Sequence, residues 1–307
     1  MSELLDPVFN FFTQYAGDAA ALSTAFAWSA AVVFFRQAGY SVSPLNLNIF
    51  KSCVASVLFV ISLMIAGGPW VPDLSLESWL RLVVSAVLGI TLGDMFFLMS
   101  LNRLGAGLQA IVDCLYAPFV IVMAFLFLDE TLPATALFGG ALVISAVLTA
   151  ARLGSIEAPA ERRSTAVGIA YGVAAQICVA VSIILIRDLV RSESILWITS
   201  FRFVTGSLLL FPIFFARSHS RVRDVFKPGP AWRPMILGAV LGPYLATIFW
   251  LLGFRHTMAG RAGIYNQLST IIIIVLAAIF LHEPLTRRKL VAVSLGIAGG
   301  VIVAFSA

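Results

Sequence analysis

An all-α membrane protein of ten transmembrane helices, arranged as two inverted five-helix repeats, is the fold class the sequence predicts. Three observations predict it. First, of 307 residues 60% are hydrophobic and 11% charged, against about 25% charged in a soluble domain. So few ionic groups cannot clothe a water-facing surface, and lipid must cover much of the chain. Second, ten stretches approach the ~20 apolar residues that a helix needs to cross hydrocarbon. Third, the second half of the chain repeats the first.

In chain order, residues 1–7 are acidic through Glu3 and Asp6 and lack the basic region of a cleavable signal peptide. Residues 8–15 are short and aromatic and are expected to lie along the membrane surface. Spans follow at 17–36, 44–66, 78–101, 105–128, 133–151, 165–187, 194–216, 232–254, 260–281 and 285–305. Most connections are a few residues long, which makes successive spans antiparallel neighbours. Two are longer. Residues 152–165 carry Glu157, Pro159, Glu161, Arg162 and Arg163, and residues 217–232 are basic and contain Pro228 and Pro230. The chain thus divides into a first five-helix repeat (1–151), a connecting loop (152–164) and a second five-helix repeat (165–307).

A shift of 153 residues sets Phe96-Phe97-Leu98 on Phe249-Trp250-Leu251. Without a gap, Gly107 then meets Gly260, Leu115 meets Leu268, and Leu128-Asp129-Glu130 meets Leu281-His282-Glu283. Nearer the start of each half a shift of 151 sets Phe50-Lys51 on Phe201-Arg202. Five spans per half is an odd number, so the second copy enters the membrane upside down. An asymmetric unit and its inverted copy can exchange shapes and open a central site to alternate sides.

The basic residues suggest an orientation. One face gathers thirteen of the 20 Lys and Arg, among them Arg36, Arg103, Arg217 and Arg287-Arg288-Lys289. The other face, with both termini, has Arg81, Arg187, Arg191, Arg255 and Arg261. The richer face is placed in the cytoplasm and both termini outside, in a bacterial-type inner membrane.

Several function classes are excluded. The net charge of +5 belongs to loops and implies no nucleic-acid partner. Cys53, Cys114 and Cys178 share no close spacing, and His219, His256 and His282 are scattered, so no metal and no cofactor are expected. No Walker motif and no Gly-x-Ser-x-Gly occurs, which argues against direct use of ATP and against an enzyme.

Residues 88–94 (Leu-Gly-Ile-Thr-Leu-Gly-Asp), residues 100–106, Pro118, and Leu128-Asp129-Glu130-Thr131-Leu132 form one set of motifs in the first half. Gly253-Phe254-Arg255-His256 and Leu281-His282-Glu283-Pro284-Leu285 form a second set in the other half. Through these motifs the sequence resembles the drug/metabolite transporter superfamily, EamA type. The second half departs from the first at Ile271, the counterpart of Pro118, and the family's well-known members often keep both termini in the cytoplasm. The resemblance implies a transporter working by alternating access around a central cavity and leaves the ligand open. The function expected is a secondary active transporter of a small metabolite, amino-acid-like from the mixture of acids and bases in the spans or amphipathic, and an exporter. The alternative on the same fold is a passive facilitator or lipid flippase. Its partners are a small-molecule substrate, the lipid bilayer and protons as coupling ion.

Polar groups inside spans are costly and face a cavity or a partner. Lys51 and its repeat mate Arg202 either grip an anionic group, acting as a gate, or pair with buried acids. Lys51 is also within snorkelling reach of the headgroups. Asp94, deep in the third span, is either a structural acceptor or a proton-coupling group. Asp113 and its mate Asn266 stand at matching depths, with Gln109 and Tyr116 near the first and Tyr265 and Gln267 beside the second. They form either a midplane substrate site or interhelical hydrogen bonds. Trp28, Tyr171, Tyr244 and Trp250 lie within spans and either stack on substrate or pack in the core. Glu130 and Glu283 are expected to cap the fifth and tenth helices, and Trp70, Trp79, Trp197 and Trp232 to join the interfacial belt.

Overall fold

The computed structural model describes the backbone of residues 2–67, 72–128, 133–151, 159–217, 222–256 and 259–306. The side chains of residues 2–16, 18, 124, 128, 151, 159–163, 254–267 and 306 lie outside the described set. Every regular element among the described residues is helical. Seven helices are long and apolar enough to cross a membrane, and three shorter apolar helices accompany them.

Ten spans result. Span 1 is Ser2–Ala38, span 2 Pro44–Ala66, and span 3 runs from Leu76–Ala86 through a π-helical turn, Val87–Gly93, into Asp94–Asp113. Gly105, at φ 78° and ψ 171°, breaks that last helix. Span 3 ends before Gly105, and span 4 begins after it and continues as Tyr116–Leu128. Span 5 is Ala134–Ala151, span 6 Pro159–Leu185 and span 7 Ile195–Arg217. Span 8 joins Trp232–Ala239, a second π-helical turn Val240–Ala246, and Thr247–His256. Span 9 is Ala259–Phe280 and span 10 Arg287–Ser306.

Two expected extents differ. Residues 8–15 form no separate element but open the continuous helix of span 1. Span 6 starts at Pro159, inside the expected connecting loop. Proline suits a first helical position, where its missing N–H costs nothing.

The repeat is visible in the backbone. The two π-helical turns, Val87–Gly93 and Val240–Ala246, fall on each other at the same 153-residue shift that aligns the sequences. A π turn holds one residue more than an α turn and so resets which face of the helix the following residues occupy. Repeat mates even touch: Ser56 Oγ and Ser207 Oγ, 151 residues apart, are 3.0 Å from each other where spans 2 and 7 pack. A pair of mates in contact marks the pseudo-twofold axis.

Small residues and hydroxyls hold the bundle together, as expected where lipid removes any hydrophobic drive between helices. Spans 5 and 10 meet at Gly139 and Gly299, where a Cβ on Gly299 would stand 2.5 Å from the Gly139 carbonyl oxygen. Spans 3 and 6 are tied by Ser85 Oγ to Ser182 O (2.8 Å) and Ser100 Oγ to Gly168 O (2.7 Å). Spans 1 and 9 are tied by Ser29 Oγ to Ser269 O (3.1 Å).

Glu283 does not cap its own helix. Span 10 begins only at Arg287, and Glu283 instead accepts the N–H groups of Ala106 (2.7 Å) and Gly107 (3.0 Å), at the start of span 4 in the other repeat. Lys289 Nζ bonds the same carboxylate at 3.0 Å. The local cause is the turn closing span 9. His282 adopts a left-handed conformation (φ 55°), and the Glu283 N–H returns to the Ala277 carbonyl (3.2 Å). Glu130 lies outside the described residues. Trp197 is likewise no belt residue: it is buried in a cluster with Trp79 and Phe201. Trp232 is part-exposed at its span end, and Trp70 falls outside the described residues.

Gly299→Val is expected to lower the melting temperature of the detergent-purified protein by several degrees, since overpacking a tight contact costs about 1–3 kcal/mol. Gly229→Ala, in an exposed turn with open space around it, leaves melting unchanged. Equal melting of the two variants would refute the close-packing account.

Candidate functional site

A cavity of about 230 Å³ lies where spans 1, 3, 4, 6, 8 and 9 converge. Its wall takes Thr24 and Trp28 from span 1, Asp94 and Phe97 from span 3, and Asp113 and Tyr116 from span 4. Ala175, Gln176 and Val179 come from span 6, Ala246, Thr247 and Trp250 from span 8, and Ser269, Thr270 and Ile273 from span 9. Repeat mates face each other across it. Asp94 and Thr247, Phe97 and Trp250, and Tyr116 and Ser269 are pairs at the 153-residue shift. Thr24 with Ala175 and Trp28 with Val179 are pairs at the 151-residue shift. The cavity therefore straddles the pseudo-twofold axis. The π turns contribute directly, because Asp94 and Thr247 are the first residues after them.

A smaller cavity of about 70 Å³ shares Trp28, Asp94, Phe97 and Thr247 with the first and adds Phe35, Lys51, Phe203 and Pro243. Asp94 and Lys51 stand at the junction and form an ion pair. Lys51 is 3% exposed, so it does not snorkel to a headgroup; its charge is answered inside the protein. Beside it Asn48 Nδ2 donates to the carbonyls of Ile90 (3.2 Å) and Thr91 (3.4 Å), and Thr91 Oγ1 donates to Gly206 O (3.1 Å). These bonds fix the first π turn, whose shifted ladder needs polar partners.

Arg202 behaves differently from its mate. Its Nη2 donates to Ser182 Oγ at 2.8 Å, packed over Gly89, while its buried Nε has no partner among the described residues. It stands within electrostatic reach of Asp94 and Tyr116. Asp113 is held through one oxygen only. Gln109 Nε2, one helical turn earlier, donates to Oδ1 at 2.8 Å, and Gln176 Nε2 donates to the same atom from span 6. Asp113 Oδ2 and Gln109 Oε1 are buried without a hydrogen-bond partner among the described residues.

Of the aromatics singled out in the sequence, Trp28, Tyr116 and Trp250 line the cavity. Two others have different surroundings. Tyr171 stacks on Phe96 (6.0 Å between centroids) with Arg103 over its ring (5.2 Å), and it is no part of the wall. Tyr244 bonds Ser62 Oγ through its hydroxyl (2.7 Å) and packs edge-on against Phe59, also away from the wall. Gln109 sits behind Asp113, fully buried. The side chains of Tyr265, Asn266 and Gln267 lie outside the described residues. Gln176, Thr24, Phe97, Thr247 and Thr270 were not anticipated. Thr247 could have been found as the repeat mate of Asp94, and Gln176 as a carboxamide at mid-span.

A family model for EamA-like transporters matches this sequence twice, over residues 15–152 and 166–305. The chain is 26% identical over 237 residues to the "Uncharacterized transporter YvbV" of Bacillus subtilis (strain 168), covering 74% of this chain and 73% of that one. A solved structure described only as "Crystal structure of protein" superposes with a TM-score of 0.68. It covers 96% of this chain and 98% of its own at 13% identity, a likeness of fold.

Lys51→Met would leave Asp94 charged and uncompensated, and removing one partner of a buried pair costs about 3–5 kcal/mol. Lys51→Met is therefore expected to lower the melting temperature sharply, and adding Asp94→Asn to recover most of the loss. A double variant no better than Lys51→Met alone would show that the pair is not the source of that stability.

Proposed function

The chain belongs to the EamA-like transporter family, and on that footing we propose that it is a secondary active carrier moving a small amino-acid-like or amphipathic solute by alternating access. One observation carries the reading. The cavity is walled by repeat mates from both halves, so exchanging the conformations of the halves turns one access route into the other without dismantling the wall.

The proposed roles follow from chemistry. Trp28, Phe97, Tyr116 and Trp250 offer faces to an apolar or ring-bearing part of the solute. Asp113 and Arg202, neither of which has an opposite charge bonded to it among the described residues, suit the two ends of an amino-acid-like solute. Asn266, Gln267 and Tyr265 complete the binding set on the ground of their repeat positions. Asp94, Lys51 and Arg202 serve gating and coupling at the junction of the two cavities. An inward proton gradient acting on a buried acid would drive the solute outward, which makes the protein an exporter. The basic face lies in the cytoplasm of a bacterial-type inner membrane, with both termini outside.

Counterflow in liposomes tests this. Solute preloaded inside is expected to stimulate entry of labelled solute across a panel of amino acids and aromatic amines. Trp250→Ala and Trp28→Ala are expected to cut that entry at least tenfold, and the surface substitution Trp232→Ala to leave it unchanged. Uptake without stimulation from the far side would mean a passive facilitator, and lipid movement without solute counterflow a flippase.

A further inference from the structure

We propose that Glu283 and Lys289 form a latch that holds the cavity shut toward the basic face, and that the carrier must part this latch to open on that side. The proposal rests on the carrier reading above and names the contact that sets which side the cavity faces.

The latch begins with a break in the chain. Gly105, at φ 78° and ψ 171°, ends span 3 and leaves the first N–H groups of span 4 without carbonyls one turn back. Glu283, on the turn between spans 9 and 10, answers two of them. Its Oε1 accepts from the Ala106 N–H at 2.7 Å and its Oε2 from the Gly107 N–H at 3.0 Å. The positive end of the span 4 dipole favours an anion at this point. Lys289 Nζ completes the group, 3.0 Å from Oε2. A Cβ on Gly107 would overlap Lys289 Nζ and stand 2.9 Å from Glu283 Oε2, so the glycine makes room for the contact. An ordinary cap belongs to the chain it caps and moves with its helix. This one is borrowed from the other repeat, so it breaks whenever the two halves separate at this end.

The turn between spans 3 and 4 is also held from its other side. Arg36 Nη1, at the end of span 1, donates to the Asn102 carbonyl at 2.9 Å, and Ser100 Oγ donates to the Gly168 carbonyl of span 6 at 2.7 Å. Above this layer of contacts Leu98, Leu101, Ala110, Ile111 and Ala277 are fully buried and fill the way toward the cavity. Asp113, in the cavity wall, follows Gly107 by two turns of helix, roughly 9 Å at 1.5 Å per residue. The latch is thus engaged in a conformation closed toward the basic face.

Its position also makes it reversible. The turn around Glu283 is exposed from Pro284 to Arg288. When the halves part there, water can take over both charges, and opening exchanges one set of partners for another instead of stranding an ion in hydrocarbon. The Lys51–Asp94 pair at the junction of the two cavities, with Lys51 3% exposed, lacks that outlet.

Hydrogen–deuterium exchange of the full protein in detergent micelles reads the latch directly, because the Ala106 and Gly107 amides are its donors. Glu283→Gln keeps a carbonyl acceptor and removes the charge that holds Lys289. It is expected to speed exchange about tenfold in peptides covering 100–112 and 270–286, the factor that a lost charge-assisted hydrogen bond implies. Peptides covering 76–86 and 187–198, at the opposite face, are expected to exchange at the wild-type rate or more slowly. Lys289→Met leaves the carboxylate on both N–H groups and should give the same pattern with a smaller amplitude. Arg288→Ala, at an exposed neighbour, should change neither face. Faster exchange at both faces alike would mean general loosening and overturn the proposal. Wild-type exchange at the basic end in Glu283→Gln overturns it too. Should Glu283→Gln fail to fold, Lys289→Met decides by the same two criteria. Counterflow in liposomes separates the latch from the carrier reading. Selective opening of the basic end, with no counterflow of any solute by wild type, leaves the latch and removes the carrier. Counterflow by wild type, with both faces loosened alike in the variants, leaves the carrier and removes the latch.

Discussion

A polar atom carried into hydrocarbon loses water and keeps its need for a partner, and that constraint organises the interior of this protein. The charged side chains taken into the spans are each answered differently. Lys51 is answered by Asp94, Asp113 by two carboxamides, and Arg202 by a serine hydroxyl. A buried charge with an opposite charge beside it is a fixed part of the structure, because separating the two costs more than the pair contributes. A buried charge held only by neutral dipoles retains an appetite for a mobile counter-ion.

Backbone and side chains treat the repeat unequally. The π turns and the walls of the cavity obey the pseudo-twofold relation closely. The polar fittings do not. Asn48 and Thr91 secure the first π turn, whereas the second contains Pro243 and is reached by the Tyr244–Ser62 bond. Glu283 reaches across to span 4 with Lys289 beside it, and the position matching Lys289 in the first repeat is Ala136. Duplication supplied a symmetric frame. Individual substitutions then gave the two halves different strengths of attachment.

The helices were legible in the sequence because lipid imposes a length and a composition that few other environments require. The inversion was legible because five is odd, and the cavity's depth because Asp113 and Trp250, which line it, sit at mid-span. What stayed hidden was direction around a helix axis. The π turns reset the facing of all that follows, so periodicity carried through them misjudges which side chains reach the centre. Tyr244 lies within such a turn and faces Phe59 rather than the cavity. Tyr171 was drawn off by Phe96 and Arg103, a pairing between spans that spacing along one span does not reveal. Glu283 shows the same gap at a helix start. The composition called for a cap, and only the left-handed turn at His282 decided whose N-terminus received it.

The contact between Ser56 and Ser207 has a particular standing. A point on a twofold axis is its own image, so it occupies the same place before and after two halves trade shapes. In the proposed alternating-access cycle that hydroxyl pair would be the fulcrum. Under that proposal, changes made there would load the inward-facing and outward-facing forms alike and alter the height of the barrier between them, whereas changes at off-axis points such as Lys51 would tip the balance toward one side.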